Sequence, residues 1–174
     1  DLIKSIIKCY ASLFNSRAIS YRHTNNIDFS QVKMSVTIQK MVRSDIGSAG
    51  VAFSIDPETG YDKAIVINSA FGLGELVVSG GVKPDEIVID KRALKENAVY
   101  PIISKKLGHK KTKIVYSKLE FTDEVDTSIN EYRKFSIENE DCIVLSKSVL
   151  SIETAYKNIF GENNGVDIEW ALDG

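Results

Sequence analysis

Two apolar, β-rich runs, Gly50-Val51-Ala52-Phe53-Ser54-Ile55-Asp56 and Ala64 to Ser69, are held apart by Asp56-Pro57-Glu58-Thr59-Gly60. Proline presets the backbone dihedral at one turn position and glycine accepts a positive φ at another, so the segment between the runs is a turn. Two strands joined by a turn read as an antiparallel pair, and the pair commits the middle of the chain to a sheet. Upstream, Val36-Thr37-Ile38-Gln39-Lys40-Met41-Val42 is β-rich and nearly apolar and is expected to be the first strand, ending in a polar loop from Arg43 to Ser48. Downstream, Glu86 to Asp90, Val99 to Ser104 and Lys113 to Lys118 are three more strand candidates, with a basic turn between the last two. The sheet is therefore expected to be mostly antiparallel.

Helices are expected at both ends. Leu2, Ile3, Ile6, Ile7, Tyr10 and Leu13 recur at helical spacing, which predicts an opening helix with one buried stripe, capped by Asp1 and stopping near Asn15. Ser16 to His23 reads as a short helical or irregular stretch, and Thr24 to Asp28 as a loop. Between Asn139 and Lys157 the apolar residues Cys142, Leu145, Val149, Ile152 and Tyr156 return every three or four positions, predicting a long amphipathic helix. Phe121 to Asn130 reads as a polar loop, and Gly161 to Gly165 breaks the long helix. Both cysteines, Cys9 and Cys142, fall on apolar helix faces and read as core.

Composition narrows the class of protein. A formal net charge of −2 argues against a general nucleic-acid binder. No apolar run approaches the roughly 20 residues of a membrane helix. Two distant cysteines outside any metal-spaced cluster fit a reduced, cytoplasmic protein. The start at Asp1 without methionine, and the turn signal Asp173-Gly174 with no strand after it, lead to the expectation that the 174 residues are part of a longer polypeptide, a single partial domain.

The chemistry is expected to centre on Val166-Asp167-Ile168-Glu169-Trp170-Ala171-Leu172. Strand alternation sends Asp167 and Glu169 to one face and Val166, Ile168 and Trp170 to the other. Two carboxylates at i and i+2 can hold a hard cation such as Mg²⁺, with phosphate oxygens completing its shell. Taken alone, such a pair reads more readily as a solvated acidic strand. Gln39-Lys40-Met41-Val42 is a second candidate: at a strand end the Lys40 C=O and the Val42 N–H would be free to read an adenine edge, although many core strands share this composition. Gly72-Leu73-Gly74-Glu75 with Gly80-Gly81 fits neither phosphate-loop pattern and reads as a tight bend or bulge. The cluster Lys105, Lys106, His109, Lys110, Lys111 and Lys113 reads as a solvated hairpin tip, and His23 and His109 as ordinary surface histidines.

Several stretches together resemble the nucleotide-binding domain of the phosphoenolpyruvate synthase and pyruvate phosphate dikinase family. They are Tyr10-Ala11-Ser12-Leu13-Phe14 leading into Arg17-Ala18-Ile19-Ser20-Tyr21-Arg22, Gln39-Lys40-Met41-Val42-Arg43-Ser44-Asp45, Gly50 to Asp56, Gly72-Leu73-Gly74-Glu75, Pro84-Asp85-Glu86, and Asp167-Ile168-Glu169-Trp170-Ala171. The resemblance implies an α+β, ATP-grasp-like fold, a mostly antiparallel sheet with flanking helices. It implies ATP and Mg²⁺ as cofactors, with Gln39, Lys40, Met41 and Val42 at the adenine and Asp167 and Glu169 at the metal and phosphates. It further implies two partners in the parent chain: a phosphohistidine domain that takes a phosphoryl group from ATP, and a pyruvate-binding barrel domain. A homo-oligomeric parent is left open.

In the family a lysine and an arginine that hold the phosphates would lie before Asp1, and a glutamine and an arginine would lie after Gly174. The 174 residues alone are therefore expected to bind ATP weakly and to catalyse nothing. Phe121 to Asn139 is the least family-like stretch, and His109 stands where relatives commonly carry a small polar residue. The rival readings are a pyruvate phosphate dikinase or antibiotic phosphotransferase sharing this domain, and a non-catalytic β-rich interaction module.

Overall fold

The structure, a computed structural model, describes residues 2–96, 98–117, 121–161 and 165–174. It divides into two compact units, Asp1–Met41 and Val42–Gly174. No helix among the described residues is long and apolar enough to cross a membrane.

The first unit holds α1 (Leu2–Ala11), a 3₁₀ turn (Ser12–Phe14) and α2 (Ser16–Thr24). Asn15 starts α2 because its side-chain oxygen accepts the Ala18 N–H at 2.8 Å, satisfying one of the free donors of the first turn. Arg22 is buried; it donates to the Leu13 carbonyl and stacks over the Phe29 ring 5.1 Å away, with Phe14 packed on the same ring. The expected buried stripe of α1 is not buried. Leu2, Ile3, Ile7 and Tyr10 are exposed and α1 buries no residue. Cys9 shares this exposure and is not core. The proposed Asp1 cap lies outside the described residues.

Val36 to Val42 is not a strand. A β-branched, apolar run becomes a strand only when a ladder partner takes its N–H and C=O groups, and none pairs with it among the described residues.

The second unit begins with a 3₁₀ turn (Ser44–Ile46) inside the expected loop, then β1 (Ser48–Phe53), β2 (Ala64–Phe71), α3 (Glu75–Val78), β3 (Asp85–Asp90), α4 (Lys91–Lys95), β4 (Ile102–Lys106), β5 (Thr112–Tyr116), β6 (Thr122–Asp126), α5 (Ile129–Tyr132), α6 (Asn139–Phe160) and β7 (Asp167–Leu172). Among the described residues a five-stranded sheet runs in the order β4-β3-β2-β1-β7, antiparallel throughout. The expected pair β1–β2 forms, closed by the Asp56 turn with Gly60 at φ +73°. One face of the sheet is the core. Ala52, Ile65, Ile67, Ile87 and Ile89 point there and are fully buried against Cys142 and Val149 of α6, with Ile168 and Trp170 packed alongside. Each isoleucine so buried contributes about 1.5–3 kcal/mol. Glu140 and Asp141 complement the dipole in the first turn of α6, and Gly161 at φ +74° ends it. Residues 162–164 of the expected helix break, and the end of the sixth expected strand at Lys118, lie outside the described residues.

Two expectations fail in the region from Leu107 to Asn130. The polar stretch after Phe121 contains a strand, β6, which pairs with β5 in a separate two-stranded sheet, and then the start of α5. Its residues Thr122-Asp123-Glu124-Val125-Asp126 are all exposed, so no hydrophobic alternation announces it. The basic turn is also not a solvated hairpin tip joining β4 to β5. Lys110 is fully buried, its ammonium on the Asp85 carboxylate, and Gly108 packs so closely on the Lys83 and Pro84 backbone that a Cβ there would lie 2.3 Å from Pro84. Asp85 draws the turn inward: its two oxygens also accept the Gly108 N–H at 2.8 Å, the Ser136 N–H at 2.8 Å and the Ser136 hydroxyl at 2.7 Å. Three of the remaining lysines find separate partners. Lys105 donates to Asn139 and lies over the Phe135 ring, Lys106 pairs with Glu86, and Lys113 pairs with Glu131. His109 Nδ1 lies 2.9 Å from the Tyr132 hydroxyl. The Gly72 segment is a tight turn leaving β2, with Gly72 at φ +85° and the Leu73 N–H donating to the Ile114 carbonyl at 2.9 Å.

Candidate functional site

β7 has the alternation its sequence predicts. Asp167, Glu169 and Ala171 are exposed, while Ile168, Trp170 and Leu172 are half-buried on the core side. Pairing with β1 fixes what lies beside each carboxylate: Glu169 stands opposite Val51 and Asp167 opposite Phe53. Neither carboxylate has a hydrogen bond or ion pair among the described residues.

The register extends these positions across the face away from α6. One row reads Glu169 (β7), Val51 (β1), Asn68 (β2), Glu86 (β3) and Lys106 (β4); the next reads Asp167, Phe53, Val66, Val88 and Ser104. At the end of the face beyond the first row, the turn into α3 lies over Ala49, where a Cβ on Gly74 would be 3.5 Å from the Ala49 methyl. The face is thus an apolar floor of Val51, Phe53, Val66 and Val88, with free carboxylates at the β7 edge and a neutralised pair, Lys106 to Glu86 at 2.7 Å, toward β4. The Glu86 carboxylate accepting from Lys106 holds that ammonium's pKa above its ordinary value.

The donor set suits a hard cation. Asp167 and Glu169 offer only oxygen, and no group of three or more His, Cys, Asp or Glu side chains among the described residues could cage a metal. A metal here would take two carboxylates from the protein and complete its shell elsewhere, which is the habit of Mg²⁺ bound with phosphates.

Gln39, Lys40, Met41 and Val42 are all exposed and lie outside any helix or strand, and the division between the two units falls between Met41 and Val42. Among the described residues neither the Lys40 C=O nor the Val42 N–H has a backbone partner. Immediately after them, Arg43 grips Asp45 through Nε at 2.7 Å and Nη2 at 2.8 Å, and its backbone N–H donates to Asp173. The hydrogen-bonded Arg43 guanidinium holds the Asp45 carboxyl below the usual carboxylate range. The structure therefore brings Asp167 and Glu169 onto one face, and the Gln39–Val42 segment spans the division between the two units.

Asn68, Glu86 and Lys106 share the face of Asp167 and Glu169 and were not picked out as site residues by the sequence. Alternation along Ala64-Ile65-Val66-Ile67-Asn68 does place Asn68 opposite to the buried isoleucines. That it stands in the row of Glu169 depends on strand order, which no local pattern carries.

The whole chain, residues 1–174, matches the family model described as pyruvate phosphate dikinase, AMP/ATP-binding domain. It is 47% identical over 177 residues to a protein of Synechocystis named phosphoenolpyruvate synthase, covering 99% of this chain and 21% of that protein. Similar proteins of the same name occur in Helicobacter pylori, at 46% identity over all of this chain and 22% of the relative, and in Escherichia coli, at 42% identity over 95% of this chain and 20% of the relative. The chain spans about a fifth of the length of the curated relatives it matches. The α+β fold, with its mostly antiparallel sheet and flanking helices, agrees with that family, and the chain belongs to the pyruvate phosphate dikinase AMP/ATP-binding domain family.

Proposed function

We propose that this chain is the ATP-binding portion of a phosphoenolpyruvate synthase, which converts ATP, pyruvate and water to phosphoenolpyruvate, AMP and phosphate through a phosphohistidine on another domain of the parent chain. The observation that carries the reading is the pair of exposed carboxylates, Asp167 and Glu169, without a partner among the described residues, on one face of a sheet whose family binds AMP or ATP. Gln39, Lys40, Met41 and Val42 read the adenine, the Lys40 C=O accepting from its amino group and the Val42 N–H donating to a ring nitrogen. Asp167 and Glu169 hold Mg²⁺, which when bound neutralises charge on the phosphate oxygens. Phosphoryl transfer asks mainly for positioning and charge neutralisation, so a nucleotide domain contributes by fixing where the phosphates lie. The parent also supplies the phosphohistidine domain and the pyruvate-binding barrel. The two free thiols, Cys9 and Cys142, support a reducing, cytoplasmic setting.

The test uses the full-length protein that carries this chain, with ATP and Mg²⁺, following AMP, ADP and phosphate with and without pyruvate. Pyruvate-dependent AMP and phosphate is the expected result. AMP formation that requires added phosphate and yields pyrophosphate would replace the synthase with a dikinase, and no nucleotide turnover with any acceptor would refute the enzyme reading. Glu169→Gln is expected to lower autophosphorylation by about 10²-fold or more, the scale seen when one charge-stabilising group is removed, with the fold intact. Unchanged activity would remove the metal role.

A further inference from the structure

β2 is the middle strand of the five-stranded sheet, and its positions on the face away from α6 are Ala64, Val66, Asn68 and Ala70, of which Ala64, Val66 and Ala70 are buried. Asn68 is the one polar side chain among them. It is half-buried, and its amide has no hydrogen bond among the described residues, whereas Ile65, Ile67 and Ser69 on the opposite side are fully buried. Asparagine is a poor strand former, and a half-buried amide with nothing to bind is unfavourable in the centre of a sheet. The local fold gives no reason for it.

Its position supplies one. Asn68 pairs with Val51, and Val51 pairs with Glu169, so Asn68 and Glu169 flank Val51 in one row. With neighbouring strands about 4.8 Å apart, their backbones are separated by roughly 10 Å across that valine. A chain of phosphates laid over Val51 would meet the carboxylates on one side and the Asn68 amide on the other. The next residue in the row is Glu86, whose charge is balanced by Lys106 at 2.7 Å, so an anion beside Asn68 does not face a bare carboxylate.

We propose that Asn68 is a further phosphate-binding residue, its side-chain N–H donating to an oxygen of the β- or γ-phosphate while Glu169 serves the metal. This rests on the ATP-binding reading above. A neutral donor suits this place because its hydrogen bond to a charged oxygen is strong, yet it does not compete with Mg²⁺ for the carboxylates.

The test measures binding in the full-length protein with Mg²⁺ present, by displacement of a fluorescent ATP analogue with ATP and with AMP, for the parent, Asn68→Ala and Asn68→Asp. A hydrogen bond to a charged group corresponds to a loss of about tenfold to a hundredfold in ATP affinity for Asn68→Ala, with AMP affinity unchanged. Asn68→Asp should lose more, because a carboxylate repels the phosphate. Retained AMP binding shows that the variants are folded. If ATP affinity in both variants equals the parent's, or if AMP affinity falls in parallel with ATP affinity, the assignment of Asn68 is overturned while the ATP site stands. If the parent itself binds no Mg-ATP, the nucleotide reading fails and the assignment falls with it.

Discussion

Lys110→Met should destabilise the protein far more than any other lysine substitution in the same basic turn. Both partners of the Lys110–Asp85 pair are fully buried. Removing one member of a buried pair costs about 3–5 kcal/mol, because the other charge is left without a partner or water. In Lys110→Met the stranded Asp85 carboxylate keeps three donors, the Gly108 N–H, the Ser136 N–H and the Ser136 hydroxyl, so a loss near 3 kcal/mol is expected. Asp85→Asn strands a buried ammonium instead and turns an amide N–H toward groups that are themselves donors, which moves the loss to about 5 kcal/mol. The double variant removes both charges and should lose less than the sum of the two single losses by a coupling of about 1–3 kcal/mol. Lys111→Met is the control: its side chain is exposed, so the change should stay within about 0.5 kcal/mol. Urea unfolding of the chain followed by the fluorescence of Trp170, its one tryptophan, reads all four, since Trp170 packs against the sheet's core. If Lys110→Met and Lys111→Met unfold at the same urea concentration, the buried pair does not hold the turn.

Cysteine reactivity should divide the two thiols. Burial pushes the Cys142 thiol up to about 11, while Cys9 is exposed, so maleimide at neutral pH should label Cys9 in the native protein and Cys142 only on unfolding, as read by peptide mass spectrometry. The same shift gives an alkaline limit: the unfolded chain ionises this thiol first, so stability should fall as pH rises from about 9 toward 11 and be unaffected by this group below. Gly72→Ala should cost more than Gly60→Ala. Both have positive φ, about 1–2 kcal/mol for an L-residue, but a Cβ at Gly72 would also lie 2.6 Å from the Ile114 carbonyl, whereas Gly60 faces open space. Equal unfolding midpoints for the two variants would argue against the packing of β5 on that turn.

What was legible in the sequence is what local chemistry decides. The β1–β2 pair follows from its turn, α6 from apolar residues three and four apart, and the Asp167/Glu169 face from the period of two in β7. Failures arise where a distant partner decides. Val36 to Val42 has strand composition without a ladder partner among the described residues, and the α1 stripe has helical spacing yet stays largely exposed. β6 is a strand because β5 pairs with it, although its own residues are polar and exposed. Lys110 looks like every other lysine in its turn until Asp85, 25 residues earlier, is placed beside it. The family resemblance rested on stretches that include Pro84-Asp85-Glu86, yet resemblance did not say what Asp85 does.

Asp85 and Glu86 connect the fold to the candidate site. They are neighbours on β3 and point to opposite faces, Asp85 into the buried network and Glu86 onto the open face with Asn68 and Lys106. A one-residue slip of β3 against β2 would exchange them, because side chains alternate with a period of two. Glu86 would then be buried among Ser69, Ser136 and Lys110, and Asp85 would stand on the open face, too short to occupy Glu86's place opposite Lys106. The isoleucines Ile87 and Ile89 oppose that slip through burial, but apolar burial alone also accepts a slip of two residues, which keeps every face and moves every row. The Asp85 network does not accept it: four donors at fixed backbone positions, Gly108, Lys110 and the two groups of Ser136, fit a carboxylate at one place along the strand. A buried ion pair adds little net stability compared with an apolar replacement. Its contribution here is to fix the register of β3, and that register is what sets Glu86, with Lys106, in the row of Asn68.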